Sequence, residues 1–257
     1  MLTLNQIKQE YPAEVFRRNP KAVLVEYLQY ELLDSIFKQA GSEHLSFMGG
    51  TAIRIIYHSS RFSEDLDFDN FSLSYNDFEN ILKKVVGDMK SKGFDLEFRF
   101  VEKGAYHCYI KFPKLLFANN LAVHKDEKIL VRVDAVRKRK LVEPEIKILG
   151  GFDVYRKILV NSPAVILSQK LIAILQRKRE KGRDFYDVSY LLGLTMPDYD
   201  FLIKEHKITK KELKNKVLKR SSELDMDKLA QDVIPFLINP DDQERILSFR
   251  EYIEQKL

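Results

Sequence analysis

Asp65, Asp67 and Asp69 alternate with Leu66 and Phe68 at the end of the stretch 48–69, MGGTAIRIIYHSSRFSEDLDFD. On a strand, side chains two positions apart share a face. Leu66 and Phe68 are therefore expected in the core and the aspartates together on the other side. Carboxylates gathered in this way suit Mg²⁺, which keeps part of its coordination for substrate phosphates. Upstream, Gly49 and Gly50 follow a short apolar run (Leu45, Phe47, Met48) that reads as a strand. They precede a helix predicted over 51–57, with Ile53, Ile56 and Tyr57 on one face. A strand, a glycine pair and a helix start make an anion site at Gly49, Gly50 and Thr51. Backbone without Cβ lets a phosphate approach, and the first N–H groups of the helix point at it. Taken singly, a tight glycine turn and a D-x-D are common structural features. Joined in one strand–turn–helix–turn–strand unit, they point to a nucleoside triphosphate carried on Mg²⁺.

A further aspartate, Asp134, lies in a strand predicted over 129–136, ILVRVDAV. Ile129, Val131, Val133 and Ala135 form its core face; Leu130, Arg132 and Asp134 form the other. Four adjacent cations, Arg137, Lys138, Arg139 and Lys140, follow at once. They read either as a guide for a nucleic-acid backbone or as a solvated loop.

The elements that must position these residues read as an α/β protein. A helix is predicted over 22–40 from Val25, Leu28, Leu32 and Ile36, stopped by Gly41. A second, over 74–92, carries Phe78, Ile81, Leu82, Val85, Val86 and Met89 and ends at Gly93. Phe94, Leu96, Phe98 and Phe100 are expected on one face of a strand over 94–101. Lys103 and Gly104 then turn it into a hairpin with 105–112. A last strand is expected over 154–160, after a Gly150–Gly151 turn. Ser162 and Pro163 start a helix running to about 179, by N-capping and by proline at the first helical position. Another helix is expected over 183–192. Beyond it, Pro197, Pro235 and Pro240 punctuate short helices, and 204–220 is a basic stretch, read as a solvated helix face or a second phosphate surface. The expected organisation is a mixed-sheet domain over 1–160 and a helical domain over 161–257.

Composition sets the frame. Of 257 residues, 45% are apolar and 32% charged, which suits a soluble chain with a real core. Cys108 is the only cysteine, so an intrachain disulfide and a multi-cysteine zinc site are excluded. No apolar run reaches the length of a membrane span, and 1–12 lacks the apolar core of a signal peptide. The expected location is the cytoplasm, with no membrane partner. A net charge of +5 is a slight excess in favour of a polyanionic partner.

The central stretch resembles the nucleotidyltransferases of the AbiEii/AbiGii toxin family, whose first motif is similar to G-G-T-[AS]-L-x-x-x-Y followed by R-x-S-x-D-L-D-F. A second stretch is similar to the family's K-L-x-A-x-x-x-R-x-x-x-x-x-R-D-x-x-D-[LV], here Lys170, Ala173, Arg177, Arg183, Asp184 and Asp187. The resemblance implies the polymerase β-like nucleotidyltransferase fold. Two Mg²⁺ ions would rest on Asp65, Asp67 and Asp134, the last binding the second ion or taking the proton of the attacking hydroxyl. Arg61, Ser63, Lys170, Arg177 and Arg183 would meet the nucleotide, Lys170 at its phosphates. Asp184 and Asp187 would be needed for activity, or would hold Lys170 or Arg177 in place. It further implies a toxin of a toxin–antitoxin or abortive-infection system, an antitoxin encoded by the adjacent gene, and a tRNA 3′ end as acceptor. One departure stands out: many polymerase β-like enzymes carry Gly-Ser at the phosphate turn, where this chain has Gly49-Gly50-Thr51, so Thr51 is expected to supply the hydroxyl. The alternatives are a non-catalytic nucleotide- or nucleic-acid-binding module, transfer to a protein or small molecule, and a metal-dependent nuclease or glycosyltransferase. The glycine turn upstream of the D-x-D argues against the last pair.

Overall fold

The computed structural model describes residues 1–257. The chain forms two units. The first comprises Met1–Ile56, Phe62–Lys140 and Pro144–Val160; the second comprises Tyr57–Arg61, Leu141–Glu143 and Asn161–Leu257.

The first unit begins with α1 (Leu4–Gln9), α2 (Ala13–Arg18) and α3 (Pro20–Phe37). Nearly every side chain of α3 from Val23 to Ile36 is buried, the polar Glu26, Gln29, Glu31, Asp34 and Ser35 included. Its buried acids are therefore paired. Glu26 meets Arg54 at 2.7 Å, Glu31 meets Lys92 at 2.8 Å, and Asp34 meets Lys92 at 2.9 Å and Arg156 at 2.8 Å. There follow β1 (Leu45–Met48), α4 (Gly49–Ile55), β2 (Leu66–Asn70), α5 (Tyr75–Ser91), β3 (Glu97–Glu102), β4 (Tyr106–Phe112), α6 (Leu115–Ala118), β5 (Ile129–Arg137), β6 (Glu145–Gly151) and β7 (Val154–Val160). Ser74 and Asp77 close a capping box at the start of α5.

The strands form one mixed sheet in the order β3-β4-β5-β2-β1-β7-β6, and the α/β class expected from the sequence is the one that forms. β2 runs antiparallel to β1 and parallel to β5, while β4 and β5 are antiparallel. Apolar side chains of the central strands point to one face, where Phe68 meets Phe47 and Phe37 at ring-centroid distances of 5.5 and 6.1 Å. Phe78 of α5 meets Tyr106 of β4 at 5.7 Å.

Two local expectations change. Phe94 and Leu96 are buried, but they precede β3, and Phe98 is 39% exposed. β3 is an edge strand, so its last aromatics lack a neighbour to cover them. β6 was not anticipated. Its alternating residues Ile146 and Ile148 are the exposed ones, so the period that usually marks a core face marks the outside here.

The second unit contains α7 (Pro163–Gln176), α8 (Gly182–Leu191), α9 (Tyr199–His206), α10 (Lys210–Ser222), α11 (Met226–Val233), α12 (Glu244–Leu247) and α13 (Phe249–Lys256). The Ser162 hydroxyl accepts the Val165 N–H at 3.3 Å and caps α7. α8 is the central helix: Phe185 meets Phe249 edge-on at 5.0 Å. Gly182 lies against the Leu229 carbonyl, where any Cβ would collide. The segment Tyr57–Arg61 is tied into this unit by its backbone. Tyr190 donates to the Tyr57 carbonyl at 2.6 Å, the Ile238 N–H donates to the Ser60 carbonyl at 3.0 Å, and Arg61 bridges Leu237. No helix is long and apolar enough to cross a membrane.

Candidate active site

In the first unit the carboxylates come together through strand register. Asp67 of β2 lies directly beside Asp134 of β5 in the parallel pair, and His107 of β4 lies beside Asp134 on its other side. Asp65 sits just ahead of β2. The Arg132 guanidinium bridges Asp65 at 2.9 Å and Asp134 at 2.8 Å. His107 Nδ1 is 2.7 Å from the other Asp134 oxygen. An ionised carboxylate can only accept, so Nδ1 carries the proton of this bond. Burial pushes the Asp65 carboxyl above its ordinary pKa; Asp134 adds to the effect, and Arg132 opposes it without cancelling it.

Gly49 explains how the helix start and the carboxylates coexist. Its φ is +77°, and an added Cβ would fall against the Asp67 carboxylate, 2.9 Å from Asp67 Cβ and 3.0 Å from Cγ. Glycine is required here by the aspartate as much as by any phosphate. No side chain caps α4, which leaves its first N–H groups to be met by another partner. The Thr51 hydroxyl is fully buried and donates to the Asp65 carbonyl. A hydroxyl has one proton to give. Thr51 thus ties α4 to the entry of β2, and its proton is already used where a phosphate contact was expected.

The donor set fits a hard divalent cation. All the oxygens come from carboxylates, and a cationic guanidinium already bridges two of them. No three His, Cys, Asp or Glu side chains are gathered so as to hold an ion by themselves; Mg²⁺ commonly takes one or two carboxylates and completes its shell with water and phosphate oxygens.

The second unit holds the other expected residues in a buried cluster. Arg61 forks onto Asp187, Nε to Oδ1 and Nη2 to Oδ2, both at 2.6 Å, with side chains 2% and 0% exposed. Lys170 meets Asp184 at 2.9 Å and Asp187 at 2.8 Å. Arg177 ends α7 and reaches Asp184 at 3.2 Å, with its side chain 40% exposed. Burial by itself would raise the Asp187 carboxyl, but Arg61 and Lys170 outweigh it and hold the group below its usual range. Burial likewise works against the Lys170 ammonium, which Asp184 and Asp187 nevertheless hold above its ordinary value.

The remaining expected residues scatter. Ser63 is half-buried, and its carbonyl accepts from Gln29 Nε2 at 2.9 Å. Gly50 is buried in α4. Arg183 lies over the Phe236 ring at 4.3 Å. Arg61, expected at the nucleotide, is committed to Asp187. Arg137 follows the alternation of Val133 and Ala135, so its side chain leaves the sheet on the side opposite Asp134, over Tyr106. The Lys138 N–H donates to the Asn70 carbonyl at 2.8 Å, while Arg139 and Lys140 are exposed. Two neighbours of Asp134 had no role in the sequence reading. Arg132 was visible in the alternation of β5. His107 becomes visible only through the β4–β5 register.

The profile described as "Nucleotidyl transferase AbiEii toxin, Type IV TA system" matches residues 31–255. No curated protein matches the chain in sequence. Among solved structures, the MenT4 nucleotidyltransferase toxin of Mycobacterium tuberculosis is similar in fold, with a TM-score of 0.62 and 15% identity over 99% of this chain and 90% of that one. JHP933 of Helicobacter pylori superposes with a TM-score of 0.57 and 18% identity over 91% of each chain. The chain is thus a nucleotidyltransferase and belongs to the AbiEii toxin family of type IV toxin–antitoxin systems.

Proposed function

We propose that the chain transfers a nucleoside monophosphate from a nucleoside triphosphate to the 3′ hydroxyl of an RNA, a tRNA end in particular, and that this transfer is its toxic activity. The observation that carries the reading is the side-by-side placement of Asp67 and Asp134, with Asp65 next to them, in the same unit as the uncapped start of α4. Enzymes of this kind draw on a nucleoside triphosphate and a divalent metal. Asp65, Asp67 and Asp134 are the residues to hold Mg²⁺, as one or two ions, and the metal supplies Lewis-acid stabilisation of charge on the phosphates.

The residues of the chain divide the remaining work. Gly49 and Gly50 offer N–H groups to phosphate oxygens. Asp134, oriented by His107 Nδ1–H and by Arg132, either joins the metal ligands or takes the proton of the attacking hydroxyl. The new bond joins the acceptor oxygen to the α-phosphorus; the bond to the bridging oxygen breaks, and pyrophosphate leaves with the electron pair. The family motif gives Lys170 a nucleotide role, and within the second unit Asp184 and Asp187 are the groups that position it. Arg139 and Lys140, exposed beyond β5, are the members of the basic run placed to meet an RNA backbone. The cognate partner is an antitoxin.

A second reading has one observation in its favour: Arg132 neutralises two of the carboxylates, as it would in a non-catalytic binding module. Incubation with each labelled nucleoside triphosphate, Mg²⁺ and total RNA separates the two. Label in an RNA band of tRNA size supports transfer. Label in protein or in a small molecule overturns the RNA acceptor, and no label with any acceptor class supports the binding module.

A further inference from the structure

The open face of the sheet continues past the carboxylates. Alternation and register place Asp134, Arg132 and Leu130 of β5 beside His107, Tyr109 and Lys111 of β4. On β3 the middle row extends to Arg99 and the last row to Glu97. Glu97, Phe98, Arg99, Tyr109, Lys111 and Leu130 line a trough of about 380 Å³. The Tyr109 ring is half-buried, with the Arg99 guanidinium 5.2 Å from its centroid and the His107 ring 6.4 Å away. Arg99 and Lys111 take part in no ion pair, while the single acid of the trough, Glu97, is neutralised by Lys128 at 2.9 Å.

An aromatic ring with one cation over it and another beside it, neither paired with an acid, has the chemistry of a single-stranded nucleic-acid seat. A base stacks on the ring, and phosphates meet the cations. Six residues line the trough, against the roughly 20–30 a side that a stable protein interface engages. A paired duplex cannot offer a base face to Tyr109. Resting on the proposed RNA acceptor, we propose that this trough seats the single-stranded 3′ end: the penultimate base on Tyr109, its phosphate on Arg99 and Lys111, and the terminal ribose one row further on at Asp134. The two rows are two strand residues apart, about 7 Å.

The test uses the full chain and a short single-stranded RNA with a free 3′ hydroxyl, followed by fluorescence anisotropy and, in parallel, by the labelled-nucleotide transfer assay. Tyr109→Ala weakens single-stranded binding roughly tenfold, as loss of one stacked base does. Tyr109→Phe keeps it within about twofold, because the ring face is retained. Lys111→Ala lowers the slope of log affinity against log salt by about one. Melting curves confirm folding, and Lys111→Ala carries the test if Tyr109→Ala is unstable. Wild-type labelling of RNA with unaltered RNA binding in Tyr109→Ala and Lys111→Ala overturns the trough and leaves the RNA acceptor standing. Wild-type labelling of protein or small molecules alone overturns the acceptor, and the trough's occupant with it. Loss of a protein partner in Tyr109→Ala with RNA binding intact overturns the RNA seat.

Discussion

Two clusters in this chain are built from the same residue types and have opposite characters. In the second unit, Arg61, Asp184 and Asp187 are buried and Lys170 is 13% exposed, and their charges answer one another. In the first, the side chains of Asp65 and Arg132 are 35% and 37% exposed, and Asp65 is held above its usual pKa by burial and by a neighbouring like charge. Complete pairing in a dry site fixes geometry, because no member can leave without stranding its partner. Pairs at a half-exposed edge can be reorganised around a cation and a phosphate. A charged motif therefore marks a site without saying whether its members bind the ligand or hold in place those that do.

The contrast breaks most visibly at its two acids. Asp67→Asn is expected to reduce nucleotide transfer to background while leaving the thermal midpoint near that of wild type; full activity in this variant would remove the carboxylate from the site. Asp187→Ala acts in the reverse sense. It removes the carboxylate on which Arg61 forks and one of the two acids on Lys170, and is expected to cost about 3–5 kcal/mol in a denaturant titration. A cost below about 1 kcal/mol would mean that the pair is hydrated and that the cluster does not hold the unit's geometry.

Smaller changes sharpen the comparison. Gly49→Ala places a Cβ on a left-handed residue, at about 1–2 kcal/mol, and pushes it into Asp67. Transfer should fall by far more than stability; parallel losses would count against the close approach as the cause. Thr51→Val removes the hydrogen bond to the Asp65 carbonyl, about 1 kcal/mol, and should leave nucleotide affinity unchanged in calorimetry. A large loss of affinity would return Thr51 to the phosphates.

Acid provides the mildest probe. Burial works against the Asp34 carboxylate, but Lys92, Lys38 and Arg156 bring its pKa down from 3.8 to about 2. Asp187 is lowered as well. A carboxylate whose folded pKa is depressed contributes stability that is fully present above its unfolded pKa and is lost as pH falls through the folded one. Stability should thus hold above about pH 4 and decline from there toward pH 2. Asp34→Asn should flatten that decline, and an unchanged profile would show that the α3 network does not set it.

The sequence by itself determined the class of the chain and singled out the residues of the candidate site. Periodicity reports which side chains can share a face, and this sufficed for Leu66 and Phe68 inside, for the aspartates on the other face, and for the stripe of α5. Motif spacing supplied Lys170, Asp184 and Asp187 as a set. Tertiary structure decided what each of these residues is joined to. Asp67 meets Asp134 only through the parallel β2–β5 register, which no local pattern encodes. His107 enters through the β4–β5 register. Arg61 looked like a nucleotide ligand, as any arginine in a motif does, until burial and a carboxylate 126 residues away claimed it. Thr51 and Arg137 were reassigned for similar reasons: a hydroxyl's one proton was already given, and a side chain's parity on the strand turned it to the other face. Local pattern fixes direction from the backbone, whereas partners depend on which distant strands and helices are brought alongside, and that is settled only when the core closes.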